Sequence, residues 1–278
     1  MDVAVARAMP HRFEEPCISG TRGSGTVFLK GCSLQCTFCQ NYSISHMDDV
    51  GEGLTLDALC ETVSGLLSKG VHNLSFVTGT HYAYQIADAL RIVRPDVPVV
   101  WNSGGYERPE TVRMLGDLID VWLPDLKFAE NEPAARVTAV SDYADAACAS
   151  ILAMCEMSGE PEYDDEGILR RGVLLRHLCM PGMTGHSKRT LDWIKANLGE
   201  RVIISLMRQY VPNGPAAKNP PLDRRLTDRE YQRVFDYMMN LGFNKGYTQE
   251  ADSAAEGFVP AFDGEGVLNR TDREVTKP

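Results

Sequence analysis

The feature that most constrains the fold is a repeated alternation of short apolar runs with stretches of helical periodicity. Residues 26–29 read as a strand, and Leu56, Leu59, Val63 and Leu66 then share one helical face, with Thr55 as N-cap and Gly70 as the stop. Strands are expected again at 74–77, 97–101, 119–123, 172–178 and 202–206. Between them fall helical faces marked by Ile86, Leu90 and Val93, by a short helix opening at Pro109, by Tyr143, Ala147, Ile151 and Met154, and by Leu191, Ile194 and Leu198. A last helix carries the capping-box pair Thr227 and Glu230 and continues through Val234, Phe235 and Met238. Six strand–helix units in succession imply a parallel sheet with right-handed crossovers. Six units fall short of a closed eightfold barrel. The expected class is therefore α/β, a partial (βα)6 TIM-type barrel with parallel strands, with a doubly wound open sheet as the alternative.

A chain of 278 residues suits one such barrel as a single domain, expected over 1–250, followed by an irregular C-terminal extension over 251–278. Two segments break the rhythm: that extension, and residues 208–226, which hold four prolines. A loop that long inside a domain is usually functional, here as a docking or lid element. The formal charge of −10 makes nucleic acid an unfavourable general partner, since an acidic surface repels phosphate backbones. No apolar run reaches the length of a membrane span, and the opening residues lack the pattern of a signal peptide. A cytoplasmic protein is the expectation.

Eight cysteines in a reducing compartment are unlike a disulfide framework. Cys60, Cys148, Cys155 and Cys179 fall among apolar neighbours on helices or at a strand end, and read as small buried hydrophobes. Cys17 reads as a loop residue before the first strand, with its role open. The remaining three, Cys32, Cys36 and Cys39, lie within the segment 31–41 with the spacing C-x3-C-x2-C. Soft thiolates on one short loop suit an iron–sulfur cluster or zinc. A structural zinc or a fully ligated cluster takes four protein ligands. Three thiolates on a cubane would leave one iron open to a cosubstrate. Zinc would need a distant fourth ligand such as Cys17, His11 or His46. The loop follows the first strand of a βα repeat, and βα loops carry the active sites of barrels.

With Phe38 before the last cysteine, this loop resembles that of the radical S-adenosylmethionine (radical SAM) superfamily. The resemblance extends along nearly the whole chain. It includes Glu15-Pro16-Cys17-Ile18-Ser19-Gly20-Thr21-Arg22-Gly23-Ser24-Gly25-Thr26, the run Cys36-Thr37-Phe38-Cys39-Gln40-Asn41, and Val77-Thr78-Gly79-Thr80-His81. Asn102-Ser103-Gly104-Gly105-Tyr106, Leu123-Pro124-Asp125-Leu126-Lys127 and Phe258-Val259-Pro260-Ala261-Phe262-Asp263 add to it. Together these runs are similar to the branch related to pyruvate formate-lyase activating enzymes. The resemblance implies a [4Fe–4S] cluster on Cys32, Cys36 and Cys39, with its open iron chelated by S-adenosylmethionine. It implies reductive cleavage of that cosubstrate to methionine and a 5′-deoxyadenosyl radical, which abstracts hydrogen from a substrate. Its further implications are an activase acting on a glycyl radical enzyme partner and a flavodoxin or ferredoxin-type electron donor. Radical modification of a small molecule or peptide is the second enzymatic reading, and a non-enzymatic iron–sulfur electron carrier the third.

Polar residues gather at the C-terminal ends of the expected strands, where a barrel places its site. Many members of the superfamily carry a GGE-type stretch after the second strand, which receives the cosubstrate's amino group. This chain has Thr78, Gly79, Thr80 and His81 there and no carboxylate. Thr78 and Thr80 are the candidates to accept the ammonium protons, and Asn102 and Ser103 the candidates for ribose or carboxylate contacts, with turn formation before Gly104 and Gly105 as their alternative role. Asp125 binds cosubstrate or pairs with Lys127. Arg176 and His81 are the catalytic candidates. His81 either shapes the pocket or serves as a structural hydrogen-bonding residue. Adjacent strand residues point opposite ways, so one of Arg176 and His177 faces inward. An inward arginine requires a partner, for which a cosubstrate or substrate carboxylate is suited. A carrier would not need polar contacts on several strand ends.

Overall fold

A computed structural model describes residues 2–47, 51–249 and 260–267. In chain order the elements are β1 (Val5–His11), α1 (Pro16–Ser19), β2 (Ser24–Leu29), α2 (Tyr42–Ser45), α3 (Leu56–Leu67), β3 (Asn73–Val77), α4 (Ala83–Val93), β4 (Val99–Ser103), α5 (Pro109–Leu115) and β5 (Val121–Pro124). They continue with α6 (Asn131–Ala135), α7 (Tyr143–Ser158), β6 (Glu162–Tyr163), β7 (Leu169–Leu178), α8 (Thr184–Asn197), β8 (Val202–Met207), α9 (Asp228–Asn240) and β9 (Gly246–Thr248).

The sheet runs β1-β2-β3-β4-β5-β7-β8-β9, with β6 paired to β7 off that path. Neighbours from β2 to β9 are parallel, while β1 is antiparallel to β2. The six expected strands are all present in sequence order. Crossovers of one hand that always step the same way place every helix on one face and curl the sheet. A doubly wound sheet would reverse direction at a switch point, and none occurs on this path. Among the described residues β9 and β1 do not pair, so the barrel stays open. Strand four begins at Val99 rather than 97 because Pro98 has no N–H, while its carbonyl accepts from Leu74 N (2.9 Å).

Strand alternation divides the core in two. Phe76, Trp101, Trp122, Leu175 and Leu206 face outward against the helices, meeting Leu59, Ile86, Ile151, Leu191 and Val234, all fully buried. Val100, Val121, Leu123, Leu174 and Ile203 face into the barrel, where Cys17 and Ile18 of α1 join them. Helix α1 is therefore a plug at the barrel's N-terminal end. Asn73 fixes it, donating Nδ2 to Ile18 O (2.7 Å) while its Oδ1 accepts from Ser24 Oγ (2.5 Å). This corrects the loop expected at Cys17: the residue is helical and buried, and burial pushes its thiol up to about 11. Cys155 and Cys179 are buried, whereas Cys60 and Cys148 are half-buried against the outer core.

Thr55 caps α3, accepting from Ala58 N, and the capping box at Thr227 and Glu230 forms as expected. Of the C-terminal extension, residues 260–267 run along the free edge of β1, through Ala8 N to Glu265 O (3.0 Å) and Gly264 N to Ala6 O (3.1 Å). Gly266 at φ +75° sits where an added Cβ would meet Ala8 O at 2.0 Å, so the closest approach of the segment depends on that glycine. Phe262 packs edge-on against Phe28. Phe258 and Val259 lie outside the described residues. Among those described, no helix is long and apolar enough to cross a membrane.

Candidate functional site

The cysteine loop leaves β2 through Gly31, whose φ of +83° turns the chain across the strand ends. Three other parts of the chain hold the loop. Gly31 N donates to Ile44 O of α2 (2.8 Å). Thr37 N donates to Val137 O (2.9 Å) and Ala139 N to Leu34 O (2.9 Å). The proline-rich segment completes the frame: Asn213 Nδ2 donates to Cys39 O (3.0 Å), Gln40 Nε2 to Gln209 O (2.8 Å), and Ala216 N to Thr37 O (3.1 Å). The expected docking or lid segment is thus a strap on the cysteine loop.

Cys32, Cys36 and Cys39 line one cavity of about 200 Å³ at the C-terminal ends of the strands. Burial pushes the Cys36 thiol up to about 12, with the Lys127 ammonium working the other way. Burial also raises Cys39, opposed by a hydrogen bond from Ser45. Among the described residues no three His, Cys, Asp or Glu side chains converge to hold a single metal ion. A cubane makes a different demand, one thiolate on each of three irons, and three thiols around one cavity fit it. Of the distant residues considered as a fourth zinc ligand, Cys17 lies in the apolar plug and His46 rests on Ser45. His11 reaches the cavity, packed edge-on against Phe28.

Opposite the cysteines is a buried charged network. Arg176 points into the barrel, and its neighbour His177 points out, with Nδ1 donating to Leu126 O (2.8 Å). Arg176 donates Nε to Asp125 Oδ1 (2.8 Å), Nη1 to Glu14 Oε2 (2.9 Å) and Nη2 to Asn102 Oδ1 (2.7 Å). Asn102 Nδ2 closes the circuit on Glu14 Oε1 (3.2 Å). Lys127 Nζ donates to the other oxygen of Asp125 (2.8 Å). The arginine's partners are therefore internal carboxylates, in place of the cosubstrate or substrate carboxylate expected from sequence. Burial alone would raise the Asp125 carboxyl, but Arg176 and Lys127 outweigh it and hold it at about 2. Desolvation disfavours both cations, yet Asp125 more than compensates, so Arg176 and Lys127 stay charged. Glu14 and the adjacent Glu15 are raised by burial against the pull of Arg176. Three carboxylates face two cations, and Glu15 Oε2 is buried without a partner.

The sequence-derived candidates divide into two groups. Thr78, Asn102, Ser103, Asp125 and Arg176 line the cavity together. Thr78 adopts φ +63°, and its N–H donates to Asn102 O (2.8 Å). Thr80 and His81 lie away from the lining: Thr80 Oγ1 donates to Glu107 Oε1 (3.0 Å), and His81 Nε2 donates to Lys30 O (2.8 Å). Past β8, Gln209 reaches the cavity, whereas Arg208 turns to Asp228 (2.5 Å).

Sequence reasoning missed Glu14, Glu15, Glu107 and Tyr143 as site residues. Glu107 is a buried carboxylate behind Thr80, accepting from Trp101 Nε1 (2.5 Å), and burial raises it. Tyr143 braces two strand ends: its hydroxyl lies 2.8 Å from Asp125 O and 2.9 Å from Gly104 O and accepts from Lys127 N (2.9 Å). The adjacent acids Glu14 and Glu15 just before the first parallel strand were the available signal. Tyr143 was legible only as a core position on α7.

No protein-family model matches the chain. It is 31% identical over 224 residues to Uncharacterized protein MJ0674 of Methanocaldococcus jannaschii, covering 77% of this chain and 61% of that relative. Among solved structures it is similar to SuiB of Streptococcus suis, with a TM-score of 0.54 and 13% identity over 81% of this chain and 48% of SuiB. The chain thus spans about three fifths of that curated relative and about half of SuiB. A radical SAM methyltransferase from Sphaerobacter thermophilus gives a TM-score of 0.56 at 13% identity, over 86% of this chain and 70% of that one. The structure of anSMEcpe with bound AdoMet gives 0.55 at 11% identity, over 81% and 64%. The chain shares the fold of these solved structures, and its C-x3-C-x2-C loop lies at the end of the first parallel strand.

Proposed function

We propose that the chain is a radical SAM enzyme in which Cys32, Cys36 and Cys39 hold a [4Fe–4S] cluster that works with S-adenosylmethionine. The observation that carries this is the placing of three thiols, and no fourth cysteine among the described residues, around one cavity that also holds a buried charged network. A cluster held there by Cys32, Cys36 and Cys39, together with the cosubstrate, would supply one-electron reductive chemistry and hydrogen abstraction from a substrate.

The chain's own residues bind and orient. Thr78, Asn102, Ser103 and Asp125 present backbone, amide, hydroxyl and carboxylate groups to a polar cosubstrate. Arg176 and Glu14 hold Asn102 and Asp125 in place, so those groups are set before a ligand arrives. Leu34, Phe38, Phe28 and Val77 line the same cavity and keep water from it. Thr80 supports the turn after β3 by binding Glu107, and His81 anchors to Lys30 beside it.

The finer assignment is to the activating-enzyme type, acting on a glycyl radical enzyme partner with a flavodoxin or ferredoxin-type donor. It rests on the motif resemblance along the sequence. Anaerobic protein reduced with dithionite should release 5′-deoxyadenosine from S-adenosylmethionine, and Cys36→Ala should abolish the release. Unchanged release from that variant would remove Cys36 from the ligand set. Trapping a partner that then shows a glycyl-radical spin signal would support the activase type. Release without such a partner, but with a modified small molecule or peptide, would replace it.

A further inference from the structure

Of the three loop cysteines, Cys39 is the one with a side-chain hydroxyl on its sulfur among the described residues. Ser45 Oγ lies 3.3 Å from Cys39 Sγ. Ser45 is the last residue of α2 and is buried. Its backbone is fixed by Ser45 N to Asn41 O (3.0 Å), and α2 is tied to the cysteine loop by Gly31 N to Ile44 O (2.8 Å). The hydroxyl is thus held against the sulfur by the same short helix that packs under the loop.

Two other groups compete for the hydroxyl. Tyr42 O is 3.5 Å away and His46 Nδ1 is 2.8 Å away. A serine hydroxyl has one proton and two lone pairs. Where His46 Nδ1 carries hydrogen, it donates to Ser45 Oγ and leaves the hydroxyl proton for the sulfur. The His46 ring is stacked on Tyr42 at 4.1 Å, which fixes the plane of the imidazole beside Ser45.

Resting on the proposed function, we infer that Ser45 is a positioning and tuning residue of the cluster site. It accepts from His46 and donates to the Cys39 sulfur. Reduction adds electron density that the iron shares with its thiolates. A hydrogen-bond donor on sulfur therefore stabilises the reduced cluster more than the oxidised one and raises its potential. The Ser45 hydroxyl makes the cluster easier to reduce by the donor, and Cys39 is the thiolate through which it acts.

Wild type, Ser45→Ala and Ser45→Thr are reconstituted anaerobically, their iron is counted, and their midpoint potentials are read by spin-monitored redox titration. Equal iron in all three, a more negative potential for Ser45→Ala and a wild-type potential for Ser45→Thr are expected. Should Ser45→Ala not retain iron, Ser45→Gly removes the same donor and is expected to shift the same way. An unchanged potential in a donor-less variant that holds full iron overturns the inference and leaves the cluster in place. Absence of iron from wild type overturns the proposed function instead.

Discussion

Arg176 sits with three internal partners in a barrel where charge is expensive, and its removal leaves Glu14 without its counter-charge and Asp125 with Lys127 alone. Breaking a buried pair from one side costs about 3–5 kcal/mol. Arg176→Ala should lose stability on that scale in denaturant unfolding, and should lose turnover while retaining iron. Wild-type stability would show that the network reorganises around the gap. The pH response depends on the carboxylates, which shift in opposite directions. Asp125 is depressed, so its contribution is present above the ordinary carboxylate range and fades as pH falls toward about 2. Glu15 is raised, so its contribution is present below the ordinary range and is lost as pH rises through its folded value. Glu15→Gln, neutral at every pH, should therefore gain stability over wild type as pH rises above the ordinary carboxylate range, read as a growing difference in Tm. A difference that stays flat with pH would remove Glu15 from the titrating set. At this scale the cysteines were legible because their spacing is local. Arg176 was legible as a charge in an apolar strand, but not its partners. Glu14 lies 162 residues away in sequence, and only the curling of the sheet joins them.

Six of the parallel strands, β2 to β5, β7 and β8, and their helices followed from apolar periodicity, because each buries a face long enough to repeat. Elements of two to seven residues without that repeat did not. Helix α1 has four residues, β9 three and β6 two, and each is placed by what it packs on. Strand β1 is held by pairing with β2 and by residues 264–265, neither of which a local pattern reveals. The proline-rich segment stood out as unusual in sequence, but its role came from contacts. Asn213 reaches Cys39 O and Gln40 O from a loop 174 and 173 residues further on. Residues that orient metal ligands typically carry 10–100-fold in affinity. Asn213→Ala should therefore lose iron to a chelator faster than wild type, by roughly 10-fold or more on that scale. Equal rates would mean that the strap does not hold the cluster loop.

At the scale of the molecule, parallel strands in sequence order curl one polar end of the sheet into a cup, and the cysteine loop crosses that end. One face of each strand fills the barrel below with apolar side chains. The same face, two residues further on from Val100, Leu123 and Leu174, supplies Asn102, Asp125 and Arg176 above. Fold and site therefore follow from one alternation, and the cysteines give the site its chemistry. The most direct measurement is the metal content of anaerobically reconstituted wild-type protein. The account predicts about four irons per chain, as one cubane requires. Stoichiometric zinc with no iron would contradict it.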